Sequence, residues 1–457
     1  MTALAHWLRR AVPATPNERA AALWSFAYFF MLLASYYVLR PLRDRMGIAG
    51  GVKALPWLFT ATFVTLLVAQ PLYGALVARL PRGRFVPIVY QFFAANLAVF
   101  WLLLTLGIEP VLVARVFFVW VSVFSLFAVA VFWSFMADLF SSEQGKRLFG
   151  FIGAGGTAGG LLGPAITIVL SVRLGPANLL LVAIVFLELA VFCVFRLERS
   201  AGGASPTGLR RDDRRIGGSP LAALLEVMRS PYLLGMAGWV ALLSLGATVL
   251  YLVQAQIVAS AVHDGGEQTL FFASVDLAVG LLTLVTQLFA TGRLLGRFGT
   301  GVATGSLPAV YLVGFAALAL APSLVVVLVF QVVQRWANFA IANPARQVFF
   351  TVVDREAKYK AKNLIDVVVY RGSDAASGWL FDSLQAVGVK LGAIALGALP
   401  IAAGWLLLSR ALGHMHERRA ARLAEHARAA PGSAHSNEQE TSTWQSAAAA
   451  ISSTPRC

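Results

Sequence analysis

The sequence predicts an all-α polytopic membrane protein with twelve transmembrane helices in two halves of six. Three observations carry that expectation. Mean hydropathy is +0.73 and only 13% of the 457 residues are charged, against about a quarter in soluble domains. The chain therefore holds more apolar surface than one aqueous core can hide. The apolar runs are long and unbroken, and about 20 residues suffice to cross the ~30 Å hydrocarbon layer. Lipid admits only helices or closed barrels, because an unpaired backbone group is costly there, and runs without apolar–polar alternation exclude a barrel. The third observation is one long charged interruption near the middle of the chain.

The elements follow in order. The N-terminus, MTALAHWLRRAVPATPNERA, is polar and basic and has no cleavable pattern. Residues 1–21 are thus a leading segment, and the first apolar run is a retained span. Twelve runs lie at 22–40, 56–78, 85–107, 112–137, 149–171, 177–195, 232–260, 270–291, 301–320, 323–343, 364–386 and 391–409. Most connections are short. Residues 196–231 differ: GGASPTGLRRDDRRIGGSP combines Gly, Ser, Pro and dense charge, the composition of a flexible linker. It divides a first bundle, 22–195, from a second, 232–410. The tail, 411–457, is rich in Ala, Ser and Arg and is expected to be largely disordered.

Orientation follows from cations in short loops. Arg9, Arg10 and Arg19, then Arg79, Arg82 and Arg84, Lys146 and Arg147, the arginines of the linker, Arg293 and Arg297, and Arg355, Lys358, Lys360 and Lys362 all fall on one side. That side is expected to be cytoplasmic, with both termini inside a bacterial inner membrane. The formal charge of +15 is explained by this bias and by anionic inner-leaflet lipid, and nucleic acid is not expected as a partner. One group breaks the pattern: Arg40, Arg43, Arg45 and Lys53 follow the first run on the opposite side.

The halves echo each other. GALVARLPRGRF (74–85) and ATGRLLGRFGTG (290–301) sit at matching places after the second and eighth runs. SSEQGKRLFGF (141–151) and DREAKYKAKNLID (354–366) are charged loops after the fourth and tenth. Six plus six helices with a long central linker are the major facilitator pattern, in which two bundles rock about a midplane cavity.

Four charged features stand out. In LASYYVLRPLRDRMGIAGG (33–51), three arginines within six residues can hold an anion at a cavity mouth by bidentate bonds. Alternatively they snorkel to the interface beside Asp44. Glu143, Lys146 and Arg147 open the fifth run, where Gly155–Gly159 and Gly159–Gly163 are GxxxG spacings suited to close helix packing. Lys358, Lys360 and Lys362 alternate before Asp366, Arg371 and Asp374 enter the eleventh run. These admit anion contact, gating or a solvated loop, and Lys362–Asp366 is an i,i+4 pair. Arg335, Asp276 and Glu188 are isolated charges within spans, which mark function by default. Enzyme chemistry is not expected. His6, His263, His414, His416, His426 and His435 read as loop or tail residues, no nucleophile or zinc motif is present, and no cofactor is called for.

YYVLRPLRD, ADLFSSEQGKRLFGFIGAGG and VVDREAKYKAKNLIDVVVYRG resemble the bacterial and plastid ATP/ADP translocase (nucleotide exchange transporter) family, a facilitator-like branch of carriers. The resemblance implies that Arg40, Arg43 and Asp44 stand on the family's basic, basic and acidic positions at the end of helix 1. It likewise implies phosphate contacts for the cations and a coupling or gating role for Glu143. Pro41 replaces the family's first Asp, Arg43 a Lys, and Gln254 stands where helix 7 carries an acid, which bears on which solute is accepted.

The resulting expectation is a monomeric secondary carrier of a small organic anion working by alternating access, with nucleotide exchange as its specific form. The alternatives are a carrier of another solute or a transport-inactive sensor or accessory subunit. Arg40, Arg43, Arg335, Lys358, Lys360, Lys362 and Arg371 are the expected anion contacts. Asp44, Glu143, Lys146, Arg147, Asp366 and Asp374 are expected to couple or gate. Arg79, Arg84 and Arg297 are expected to steady the closed cytoplasmic face.

Overall fold

A computed structural model describes residues 18–79, 82–201, 220–353, 361–362 and 364–429. These residues are almost entirely helical, with no strand among them. The first half comprises α1 (Arg19–Ala49), α2 (Leu55–Arg79), α3 (Arg82–Thr105), α4 (Pro110–Leu139), α5 (Ser142–Leu174) and α6 (Leu179–Ala201). The second comprises α7 (Pro231–Ala261), α8 (Gly265–Phe289), α9 (Thr291–Leu320), α10 (Leu324–Ala337, continued by Asn338–Ala342 and Asn343–Phe349), α11 (Leu364–Val369 and Tyr370–Ala386) and α12 (Leu391–Ala429). Among the described residues, eleven helices are long and apolar enough to cross a membrane. The twelfth, α11, falls short on composition because Asp366, Arg371, Asp374 and Asp382 load it with charge. Twelve crossings bring both ends of the described chain to one face, here the terminal face; the other is the distal face.

Helix starts are set locally. Ser141 and Gln144 form a reciprocal capping box at α5. Ser230, with Pro231 at the first helical position, opens α7, and Asp264 caps α8. Gly299, at φ 74°, breaks α9 and leaves Arg293 and Arg297 on a short preceding helical piece. Each half has its own apolar core. Outward residues such as Phe92, Val172, Val313 and Leu320 are more than half exposed, as a lipid-facing surface requires.

Several expectations need correction. At 1.5 Å per residue α1 is about 46 Å long, and it runs through Pro41 to Ala49. Arg40, Arg43 and Arg45 are therefore helical residues and not a distal loop. The linker contains a helix, Pro220–Arg229, packed through Val227 on the second core. The tail is helical as far as Ala429 because α12 simply continues. His414 and His416 thus lie on α12, and His416 is buried against the Tyr232 hydroxyl at 3.2 Å.

The GxxxG stripe of α5 packs on α1. A methyl at Gly155 would come within 2.5 Å of the Phe26 carbonyl oxygen, one at Gly163 within 2.7 Å of Tyr37 Cβ, and one at Gly159 would strike the Phe30 carbonyl. Backbone contact this close is what holds α1, and with it Arg40 and Arg43, at the centre of the molecule.

Candidate functional site: a cavity between the halves

A cavity of about 310 Å³ lies between the two bundles. α1 contributes Arg40, Arg43 and Asp44, α10 contributes Arg335, and α11 contributes Arg371 and Asp374. Aromatic rings complete the wall, among them Tyr36, Phe59, Phe118, Tyr251, Phe339 and Tyr370. A second space of about 350 Å³, lined by Asn343, Arg346 and Asp366, shares Phe339, Tyr370 and Arg371 with it and leads to the terminal face.

The distal end is closed. The Tyr251 hydroxyl of α7 donates to Asp44 Oδ1 of α1 at 3.3 Å. Trp379 Nε1 of α11 donates to Thr60 of α2 at 3.0 Å, with the Trp57 and Trp379 rings 4.7 Å apart. Leu55, Leu58 and Phe118 of the first half join the second half's core. The molecule therefore opens toward the terminal face.

Every cavity arginine has an aspartate beside it. Arg43 donates to Asp44 Oδ1 at 3.1 and 2.7 Å and stands 4.9 Å over the Phe118 ring. Arg371 meets Asp374 at 3.2 Å, and Ser244 and Thr248 donate to the other Asp374 oxygen at 2.6 and 3.0 Å. Arg335 of α10 and Arg40 of α1 both approach Asp276 Oδ1, at 2.5 and 3.5 Å. Four guanidinium groups against three carboxylates leave a single positive charge. Beside them runs a buried amide chain. Tyr311 donates to Gln334 at 3.0 Å, Gln334 to Gln331 at 2.9 Å, and Gln331 to Gln254 at 2.5 Å.

Local backbone irregularity shapes the wall. Asn338–Ala342 and Leu364–Val369 are π-helical, a form that recurs at functional sites. Pro344 has no N–H to offer the Ala340 carbonyl, and Thr291 Oγ1 donates to it instead at 2.8 Å. Gln287 does the same for the Phe339 carbonyl at 3.1 Å.

The structure brings Arg40, Arg43, Arg335, Arg371, Asp44 and Asp374 together on one cavity. Asp366 lies in the terminal-side space, bound by Arg346 at 2.6 Å. The i,i+4 partnership expected with Lys362 is not formed, because the wider π turn carries Asp366 off the α-helical register. Lys362 instead donates to Gln347 at 2.8 Å and does not line the cavity. Arg147 is exposed and pairs with Glu18 at 3.2 Å, a contact within the first half. Arg297 is exposed on the terminal side of α9. Lys358 and Lys360 lie outside the described residues, as do the side chains of Glu143, Lys146, Arg79 and Arg84. Glu188 is remote from the cavity and accepts from Gln91 at 2.7 Å. Asp276 and Arg346 are the charged residues missing from the expected site. The signal for Asp276 was its charge within a span; Arg346 sits in the NPARQ stretch that follows Arg335 on the same span.

No family profile matches the chain, and no curated protein matches it. The resemblance to ATP/ADP translocases thus rests on the quoted motifs. Among solved structures, the chain is similar to a bacterial homologue of the human lysosomal transporter Spinster in an inward-facing, unoccupied conformation. There the TM-score is 0.57 and identity 14%, covering 88% of this chain and 99% of that one. It is also similar to a bacterial homologue of the iron transporter ferroportin in an inward-facing state, with TM-score 0.60 and 13% identity over 88% and 98% of the two chains. The fold is accordingly that of the major facilitator transporters, two six-helix halves around a central cavity.

Proposed function

We propose that this protein is a secondary carrier of a small organic anion, working by alternating access between its two halves. The observation that supports this reading is the convergence of Arg40 and Arg43 from one half with Arg335 and Arg371 from the other on a single cavity. Guanidinium forks match carboxylate and phosphate geometry, and in a low-dielectric chamber such contacts are strong. Cations are expensive at membrane depth and persist where they face a cavity or a partner. The near-neutral balance of the charge set favours a cargo of low net charge.

Nucleotide exchange is the specific form of this reading favoured by the helix 1, helix 5 and helix 11 motifs, and the aromatic wall offers faces for a base. Proteoliposomes loaded in turn with unlabelled ADP, ATP, a dicarboxylate or sulfate, and offered the labelled solute, distinguish the cargoes. Anion uptake that is lost in Arg40→Gln and Arg335→Gln supports the carrier reading. Uptake of a neutral solute unaffected by either substitution rejects it, and anion uptake without nucleotide uptake rejects the nucleotide form.

A further inference from the structure

Beside the central cavity lies a second chamber of about 230 Å³, between α5 and α8. Tyr37, Thr157, Asp276, Thr283, Gln287 and Arg335 are among its lining residues. Arg335 and Phe339 belong to both walls, whereas Arg40 lines only the first space and Asp276 only the second. The guanidinium layer therefore separates two compartments, with the cargo space on one side and the Asp276 carboxylate on the other.

The second chamber holds polar atoms that the protein leaves unserved. Both Asp276 oxygens, Thr283 Oγ1 and Arg335 Nε are buried without a hydrogen-bond partner. The close approach of Arg335 Nη2 is an ion pair without hydrogen-bond alignment. Orphaned buried polar atoms are rare and call for a reason. A space of this volume, with Tyr37, Thr157, Thr283 and Gln287 beside Asp276 and Arg335 on its otherwise apolar wall, accommodates several waters at about 30 Å³ each. It extends along α8 past Thr283 to exposed Gln287, that is, toward the terminal face.

We infer that Asp276 is a proton-binding site that charges and discharges as the cargo anion comes and goes, with the α5–α8 chamber as its proton route. This inference rests on the anion-carrier reading. An anion entering the central cavity takes Arg335 and Arg40 from the side opposite Asp276. The carboxylate then loses its countercharges in a site where its side chain is 1% exposed, and a carboxylate in that position takes up a proton. The charge count is consistent. Two arginines and one carboxylate carry one positive charge; two arginines, a neutral carboxyl and a monoanion carry the same. With a dianion such as sulfate or succinate the protonated site is neutral, whereas without the proton it would carry a negative charge that the low dielectric penalises. The ionisable groups facing Asp276 are Tyr37 and Arg40 from α1 and Arg335 from α10; the described α5 wall contributes only Thr157 and glycines. No other carboxylate among them competes for the proton. In strict exchange the protons carried each way cancel, whereas net transport moves one proton with each anion.

Titration calorimetry of the purified full-length protein tests this directly. Sulfate, succinate and ADP are added at a pH where each is fully ionised, in two buffers of different ionisation heat. The wild type is expected to take up about one proton per anion bound. Asp276→Asn is expected to bind the anion more tightly, with no proton uptake. Wild-type binding without proton uptake overturns the inference while leaving the anion carrier intact, and this result needs no variant to fold. Unchanged proton uptake in Asp276→Asn also overturns it. No binding of any of the three anions rejects the anion reading and this inference with it.

Discussion

Removing Asp276 should cost more stability than removing either arginine that it serves. Arg335 lies 2.5 Å and Arg40 3.5 Å from the same carboxylate oxygen. At an effective dielectric of about 20 these separations correspond to about 7 and about 5 kcal/mol of gross attraction, most of it offset by desolvation. The asymmetry lies in what each deletion leaves behind. Asp276→Ala strands two guanidinium groups that are only 17% and 13% exposed, and an uncompensated buried charge costs about 3–5 kcal/mol. Arg40→Ala leaves Asp276 with its nearer partner, so the loss is about 1.5 kcal/mol, the low end for a contact to a charged group. Arg335→Ala falls between. Equilibrium unfolding in mixed micelles, followed by tryptophan fluorescence, measures all three. The double variant Asp276→Ala/Arg335→Ala should be less damaged than the sum of its singles, since each removal excuses the other. If Asp276→Ala proves no more destabilising than Arg40→Ala, the shared-counterion geometry is wrong.

Three further outcomes are expected. Gly159→Ala should destabilise by about 1–3 kcal/mol through overpacking, because its methyl meets the Phe30 backbone, whereas Gly153→Ala on the same helix meets nothing within 4 Å and should be neutral by the same unfolding measurement. Gln254→Leu should cost about 1–3 kcal/mol by leaving the Gln331 amide unpaired in a buried site, and Gln331→Leu introduced beside it should not recover that loss, because it passes the unpaired amide on to Gln334. A cysteine at Thr62, 3% exposed on the cavity wall, should react with an impermeant thiol reagent only from the terminal face. Adding Tyr251→Phe, which deletes the contact to Asp44, should raise labelling from the distal face; labelling that stays one-sided would mean this contact plays no part in closure.

Hydrophobic run length made the spans legible, and the central break made the two halves legible, because lipid imposes both directly on composition. The end of α1 was not legible. Arg40-Pro41 and Arg43-Asp44 read locally as a loop, yet the helix continues because its polar side chains find a cavity and a partner helix in place of water. Asp276 was visible only as an isolated charge, since both of its partners are distant in sequence and meet it only through packing. Lys362–Asp366 was misread because helical spacing assumes an α turn where the chain adopts a π turn. The extension of α12 beyond Arg410 was not legible, because the helix carries polar residues past the membrane without stopping, and Tyr232 and Phe349 give His416 and the helix around it a surface to pack on.

The division of ion pairs between the halves bears on how the molecule moves. Arg43–Asp44 lies within the first half, and Arg335–Asp276, Arg371–Asp374 and Arg346–Asp366 lie within the second, at 2.7, 2.5, 3.2 and 2.6 Å. Among the described contacts, Arg40–Asp276 at 3.5 Å, Tyr251–Asp44 at 3.3 Å and Trp379–Thr60 at 3.0 Å cross the seam, with the Arg43 guanidinium 6.0 Å from the Tyr251 ring. Rocking one rigid bundle against the other thus keeps the ion pairs within each half and breaks the contacts between the halves. The second bundle stays neutral throughout the swing, while the first carries the extra positive charge of Arg40, so the energetic obstacles are the distal aromatic seam and the separation of Arg40 from Asp276. On the anion-carrier reading, a cargo that replaces Asp276 at Arg40 removes one of the polar contacts crossing the seam. Binding would then lower the barrier to reopening by its differential affinity for the rearranged state, which is the condition for a ligand to shift a conformational equilibrium at all.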